Sequence, residues 1–147
     1  MPEASLRFHS AVAAAELRRR LSDPTFVASN IPQVLAVEPT GPTTANWTVE
    51  VKLGPMVKKS LYRGELLEAS DARVRFRAEG PEATIEGALT FAPAEPAGTD
   101  VGLTLAMKGN GALRAVVDAY LAKRVKGDAE QFVANLERRL AGPSPAP

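Results

Sequence analysis

The sequence contains no cysteine and a single histidine, His9. Disulfides, thiolate zinc sites, iron–sulfur clusters and thiol catalysis are therefore excluded, and so is any site needing two imidazoles. Aromatic residues are scarce, at 5% of 147 positions, with one tryptophan and two tyrosines. An excess of charge of either sign is also missing. Eighteen Lys+Arg against 17 Asp+Glu leave a net charge of +1, which gives no basis for nucleic-acid binding. No apolar run reaches the roughly 20 residues of a membrane-spanning helix. The N-terminal stretch places its arginines after the small residues rather than before an apolar core, so no secretory signal is expected. The expectation is a soluble, cytoplasmic chain with no cofactor, whose composition leaves room only for peripheral contact with a membrane.

What is present is a change of period, twice. Leu6 and Phe8 alternate with Arg7 and His9, the pattern of a short half-buried strand. Residues 12–21 favour a helix, and Asp23-Pro24 is a start signal for a second, short one, because a carboxylate caps and proline fits the first helical position. Asn30-Ile31-Pro32 ends it. From Gln33 to Lys108 the period becomes two. The run 34–37 is a short strand ending at Pro39, and Trp47, Val49, Val51 and Leu53 then share one face. Gly54-Pro55 turns the chain into a long strand, Met56 to Glu68, in which Gly64 permits a bend or bulge. Asp71, Gly80-Pro81 and the stretch 94–98 punctuate three further strands. These carry Val74 and Phe76, then Ile85, Leu89 and Phe91, then Val101, Leu103, Leu105 and Met107. Strands joined by short turns predict an antiparallel meander.

Residues 110–140 return to the helical period. Leu113, Val116, Val117, Tyr120, Leu121, Val125, Phe132, Val133, Leu136 and Leu140 are read as one stripe. Gly127 marks a bend in this helix. The expected class is α+β: a curved antiparallel seven-stranded sheet wrapped around a long C-terminal helix, with two short helices after the first strand. One domain over residues 1–141 and a flexible tail at 142–147 are expected.

Leu21-Ser22-Asp23-Pro24, Asn30-Ile31-Pro32, Leu53-Gly54-Pro55, Tyr62-Arg63-Gly64 and Asp128-Ala129-Glu130-Gln131-Phe132 occur in this order. In that order and spacing the chain resembles the helix-grip (START-like, Bet v 1-like, SRPBCC) superfamily. Within it, the chain resembles the CoxG family, proteins associated with carbon monoxide dehydrogenase. It departs from the family at Gln33, where glycine is frequent. It also stops at Pro147, where many members carry a C-terminal extension implicated in membrane attachment. The resemblance implies an apolar cavity between sheet and helix. It further implies a lipid- or quinone-like ligand and an accessory role to an oxidoreductase complex such as a molybdenum hydroxylase or CO dehydrogenase, or a part in its membrane recruitment.

The residues expected to enclose such a site are Trp47, Val49, Val51, Tyr62, Phe76, Ile85, Phe91, Leu103 and Leu105 from the strands, with Leu113, Val117, Tyr120 and Leu121 from the helix. Met56, beside the Gly54-Pro55 turn, would line its mouth. The same side chains would equally make a filled core, and both readings stand at this point. The arginines of 73–77, with Lys58, Lys59 and Arg63, read as a solvated outer face or as a docking surface for an acidic partner or anionic head groups. Gly109-Asn110-Gly111 lacks the rest of a phosphate loop and reads as a helix cap. His9 should face solvent, and no residue is assigned as catalytic. The functional expectation is a binding protein for a hydrophobic small molecule. The alternatives are a cyclase- or isomerase-like enzyme acting on an aromatic or polyketide substrate, and a ligand-free protein-interaction scaffold.

Overall fold

A computed structural model describes residues 2–53, 55–70, 72–94, 97–112 and 114–141. The elements follow the two changes of period. Strand β1 spans Glu3–Ser10 and is followed by helices α1 (Ala14–Leu21) and α2 (Pro24–Ala28). Six strands come next: β2 (Val34–Pro39), β3 (Thr44–Leu53), β4 (Met56–Ala69), β5 (Arg73–Glu79), β6 (Ala83–Pro93) and β7 (Thr99–Gly109). Helix α3 (Arg114–Ala141) closes the chain. Its 28 residues extend about 42 Å.

The seven strands form one antiparallel sheet in the order β1-β7-β6-β5-β4-β3-β2. Strands β2 to β7 are the expected meander. The first strand then pairs with the last, from Glu3 opposite Ala106 to Ser10 opposite Thr99. Helices α1 and α2 carry the chain from one edge of the sheet to the other. Asp23 Oδ1 accepts the backbone N–H of Thr25 at 3.0 Å, with Pro24 at the first helical position, so the start signal acts as anticipated. At the far end of α2, Asn30 is buried and its side-chain amide donates to the Phe26 carbonyl at 2.6 Å, which consumes an orphan helix C-terminal acceptor.

Helix α3 lies on the concave face of the curved sheet. Its backbone approaches β7 and β1 closely, and among the described residues β3, β4 and β5 hardly at all. This helix-grip arrangement is the expected architecture.

Three sequence expectations are corrected. Val116 does not belong to the buried stripe: it is 58% exposed. Consecutive helical residues point about 100° apart, and the neighbouring Val117 takes the inward position in phase with Leu121 and Val125. The irregularity in β4 falls between Leu66 and Glu68 rather than at Gly64, which pairs regularly with both Ala45 and Ala78. The first helix begins at Ala14 and not at residue 12. Gly54, Asp71, Glu95, Pro96, Leu113 and the tail 142–147 lie outside the described residues.

Candidate ligand-binding interior

Alternation along the strands sends Trp47, Val49 and Val51 of β3 to the same face as Tyr62 of β4, Phe76 of β5, Ile85 and Phe91 of β6, and Leu103 and Leu105 of β7. All are buried, and they form one cluster with Val117 and Leu121 of α3. Tyr120 is half-buried against the margin of this cluster, with the Arg124 guanidinium 5.6 Å from its ring centre. Met56 stands apart: it is 46% exposed at the start of β4 and takes no part in the cluster. Leu113 falls outside the described residues.

The rings lie across the sheet in a repeated way. A Cβ on Gly64 would collide with the Trp47 indole, one on Gly80 with the Tyr62 ring, and one on Gly87 with the Phe76 ring. Each aromatic side chain thus lies flat over a glycine on the next strand or the turn that ends it. A missing side chain within a strand often marks such a close approach. The Trp47 and Phe76 ring centres are 6.2 Å apart, and Phe76 meets Phe132 of α3 edge-on at 6.3 Å. Phe132 belongs to the helical stripe, but spacing alone did not mark it as the helix's contact with this shelf. The glycines at 64, 80 and 87, each spaced to face an aromatic, are the signal that could have located the shelf.

Several polar atoms are buried in or beside this apolar region without a partner in the chain among the described residues. The Trp47 Nε1–H, a donor only, is one. The Tyr62 hydroxyl is another: it sits near Glu82 and the Ala83 backbone without closing a hydrogen bond of good geometry. Burial, and then the Glu82 charge, raise its pKa. Glu82 itself accepts from the Ser60 hydroxyl through Oε2 at 3.0 Å and leaves Oε1 unpartnered. Asp128 of α3 is 6% exposed and accepts the side-chain N–H of Gln33, whose Oε1 in turn has no partner. Burial raises the Asp128 pKa, against the lowering effects of Arg124 and the Gln33 hydrogen bond.

Among the described residues, further clefts open elsewhere. Two lie on the outer face of the sheet. One, of about 470 Å³, is lined by Ser5, Arg7, Thr90 and Gly102 among others, and an adjoining one of about 130 Å³ by Glu3, Arg75 and Glu86 among others. A third, of about 410 Å³, separates the end of β1 from Glu137 and Leu140 of α3. His9 is there on the outer face with Nδ1 3.2 Å from Asp100 Oδ1, whereas Ser10 faces inward and accepts the Val12 N–H. Neighbouring strand residues point to opposite faces, so serine, histidine and aspartate do not form a catalytic relay. A fourth, of about 370 Å³, surrounds Gly109-Asn110-Gly111. Asp118 Oδ1 already accepts the Gly109 N–H at 2.6 Å, so this loop's donor is spent on a carboxylate of the chain itself. Among the described residues, no group of three or more His, Asp or Glu side chains is arranged to hold a metal, and no helix is long and apolar enough to cross a membrane.

Arg73 and Arg75 flank Glu68 at 3.0 and 3.6 Å, and Arg77 reaches both Glu79 and Glu86. Much of the cationic face of β5 is therefore neutralised within the sheet.

Residues 1–141 match the model of the family described as polyketide cyclase/dehydrase and lipid transport. No curated protein matches the chain. Among solved structures, a START superfamily protein from Mycobacterium smegmatis is similar, with a TM-score of 0.72 and 14% identity over 95% of this chain and 97% of that one. A protein from Thermus thermophilus has a TM-score of 0.71 and 22% identity over 98% of this chain and 100% of its own. The Zhui aromatase/cyclase from a Streptomyces has a TM-score of 0.58 and 16% identity, over 94% of each chain. The shared fold is the START-like helix-grip.

Proposed function

This chain belongs to the polyketide cyclase/dehydrase and lipid-transport family, and on that footing we propose that it binds a hydrophobic small molecule between the sheet and α3. The site is the shelf of Trp47, Tyr62 and Phe76 facing Phe132, Val117 and Leu121. The observation that carries this reading is the buried, unpartnered Trp47 Nε1–H on the half of the sheet that α3 does not approach. A buried donor without an acceptor costs roughly 1–3 kcal/mol, and a ligand carbonyl or ether oxygen would remove that cost. Ring-against-ring contacts fill the shelf. A ligand therefore enters by parting Phe76 from Phe132, a minor-state opening made dominant by binding. A quinone- or lipid-like molecule, apolar with a few oxygen acceptors, suits such a lining. In its finer form the proposal is a CoxG-type accessory protein that serves a molybdenum hydroxylase or similar oxidoreductase, in the cytoplasm, with any membrane contact peripheral.

Trp47 is the only tryptophan in the chain, so its emission reports directly on the shelf. Titration with a short-chain quinone, a fatty acid and an aromatic polyketide analogue should give a saturable change with at least one of them. Native mass spectrometry of gently purified protein should show a matching bound mass. A flat emission response to all three, with no bound mass, would remove the proposal and leave the scaffold reading.

A second reading is favoured by Asp128. A buried carboxyl with a raised pKa is what an acid–base step on a polyketide would use. It predicts turnover of the aromatic analogue that is lost in Asp128→Asn, whereas the binding-protein reading predicts saturation without turnover.

A further inference from the structure

The two edges of the sheet are built differently. Edge strand β2 is six residues long, is bulged between Val34 and Ala36 and ends in Pro39, features that blunt an edge against further pairing. Edge strand β1 is eight residues long, with neither bulge nor proline. The Met107 N–H donates to the Pro2 carbonyl at 2.9 Å, which sets the phase of the β1–β7 ladder. Even-numbered residues of β1 direct their backbone groups to β7, and Glu3, Ser5, Arg7 and His9 direct theirs outward. None of these outward groups bonds elsewhere in the chain among the described residues.

The side chains on this edge also await partners. Arg73, Arg75 and Arg77 on the outer face each have a carboxylate, but neither Arg7 nor Glu3 has an ion-pair partner among the described residues. Both are exposed on the outer face, four residues apart on one strand. An antiparallel copy of β1 with Ser5 opposite Ser5 would place Glu3 opposite the Arg7 of the second chain, and Arg7 opposite its Glu3. All of these residues are in the outward hydrogen-bonding phase. Centring on Arg7 would set like charges face to face, which is unfavourable. Centring on Leu6 would offer Glu3 only His9, which Asp100 already holds at 3.2 Å.

We propose that β1 is a self-complementary edge through which two copies of this chain pair antiparallel, centred on Ser5, into one continuous fourteen-stranded sheet (two seven-stranded sheets). About six backbone hydrogen bonds, two for each narrow pair, would join the strands. Two Glu3–Arg7 pairs would set the register. The contact strip is much smaller than the roughly 20–30 residues a side of a standard interface, so the dimer forms reversibly.

Sedimentation velocity across a concentration series into the high micromolar range should show a monomer–dimer equilibrium. Arg7→Glu should weaken dimerisation roughly tenfold or more, and the double variant Glu3→Arg with Arg7→Glu should restore it. Ser5→Pro removes an outward N–H while sparing the β7 ladder. It should give a folded monomer, with circular dichroism unchanged. A chain that stays monomeric throughout the series overturns the proposal, as does a dimer indifferent to Arg7→Glu. Should Ser5→Pro fail to fold, the charge swap decides alone: failure of the double variant to dimerise overturns the proposed register.

Discussion

Helix α3 treats the two halves of the sheet differently. Over β7 and β1 it lies directly on the strands; the buried residues of β7 here include Val101, Leu103, Leu105 and Met107, and those of the helix include Val133 and Leu136. Gly109 serves this approach, because a Cβ there would press into the Arg114 backbone at the entry to α3. Over β3 to β5 the helix stands off, and the rings of Trp47, Tyr62, Phe76 and Phe132 share the interval with Leu17, Leu21, Val27 and Ile31 of the α1–α2 segment. The glycines of that half serve rings instead of the helix. Aliphatic side chains at close range make a clamp, and flat rings over glycines make a filling that can be displaced. One helix can thus be held firmly along one margin while its other side remains able to admit a ligand.

The sharpest way to separate the halves is truncation on each side. Phe132→Ala should cost about 3–5 kcal/mol and Leu105→Ala about 2–5 kcal/mol in denaturant unfolding. The decisive difference lies in rescue. An apolar ligand that fills the vacated volume should recover part of the Phe132→Ala loss and none of the Leu105→Ala loss, because only the first opens the shelf. Equal recovery in both variants, or in neither, would abolish the distinction.

A smaller effect is expected from Gly64→Ala. The added methyl meets the Trp47 indole, and overpacking of this kind costs about 1–3 kcal/mol. The tryptophan must tilt away from β4, so its emission should shift together with the loss of stability. An unshifted spectrum with full stability would mean that the ring does not lie against Gly64.

Much of this arrangement was legible from residue order. Alternation placed the inward faces of β3 and β5 to β7, and Asp23-Pro24 located α2, because caps and pleats are local physics. The half-buried Leu6 and Phe8 announced β1, but not that β1 would lie beside β7. That pairing closes nearly the whole chain and has no local signature. Helical spacing admits both Val116 and Val117 to the stripe, and only packing chooses Val117. The stand-off of α3 from β3–β5 was equally hidden. The glycines at 64, 80 and 87 mark where rings lie across the sheet, but nothing local sets the distance of the helix from them. The bulge near Leu67 left no mark at all, and Gly64 was a decoy for it.

The smallest expected effect concerns the polar clasp on the stand-off side, where Gln33 at the entry to β2 donates to Asp128 of α3. Burial raises the Asp128 pKa, so over some range of pH the native chain holds a proton that the unfolded chain has released. The contribution of this group is therefore fully present below the ordinary carboxylate range, about pH 4. It is lost as pH rises through the elevated native value. Asp128→Asn keeps an acceptor for Gln33 and cannot ionise. Relative to the native chain it should gain stability as pH is raised from about 4 toward neutrality, in parallel denaturant titrations. A difference between the two proteins that does not change with pH would show that Asp128 is well solvated. The clasp would then be a surface contact, and the stand-off side would be held by its rings together with the buried Leu17, Leu21, Val27 and Ile31 of the α1–α2 segment.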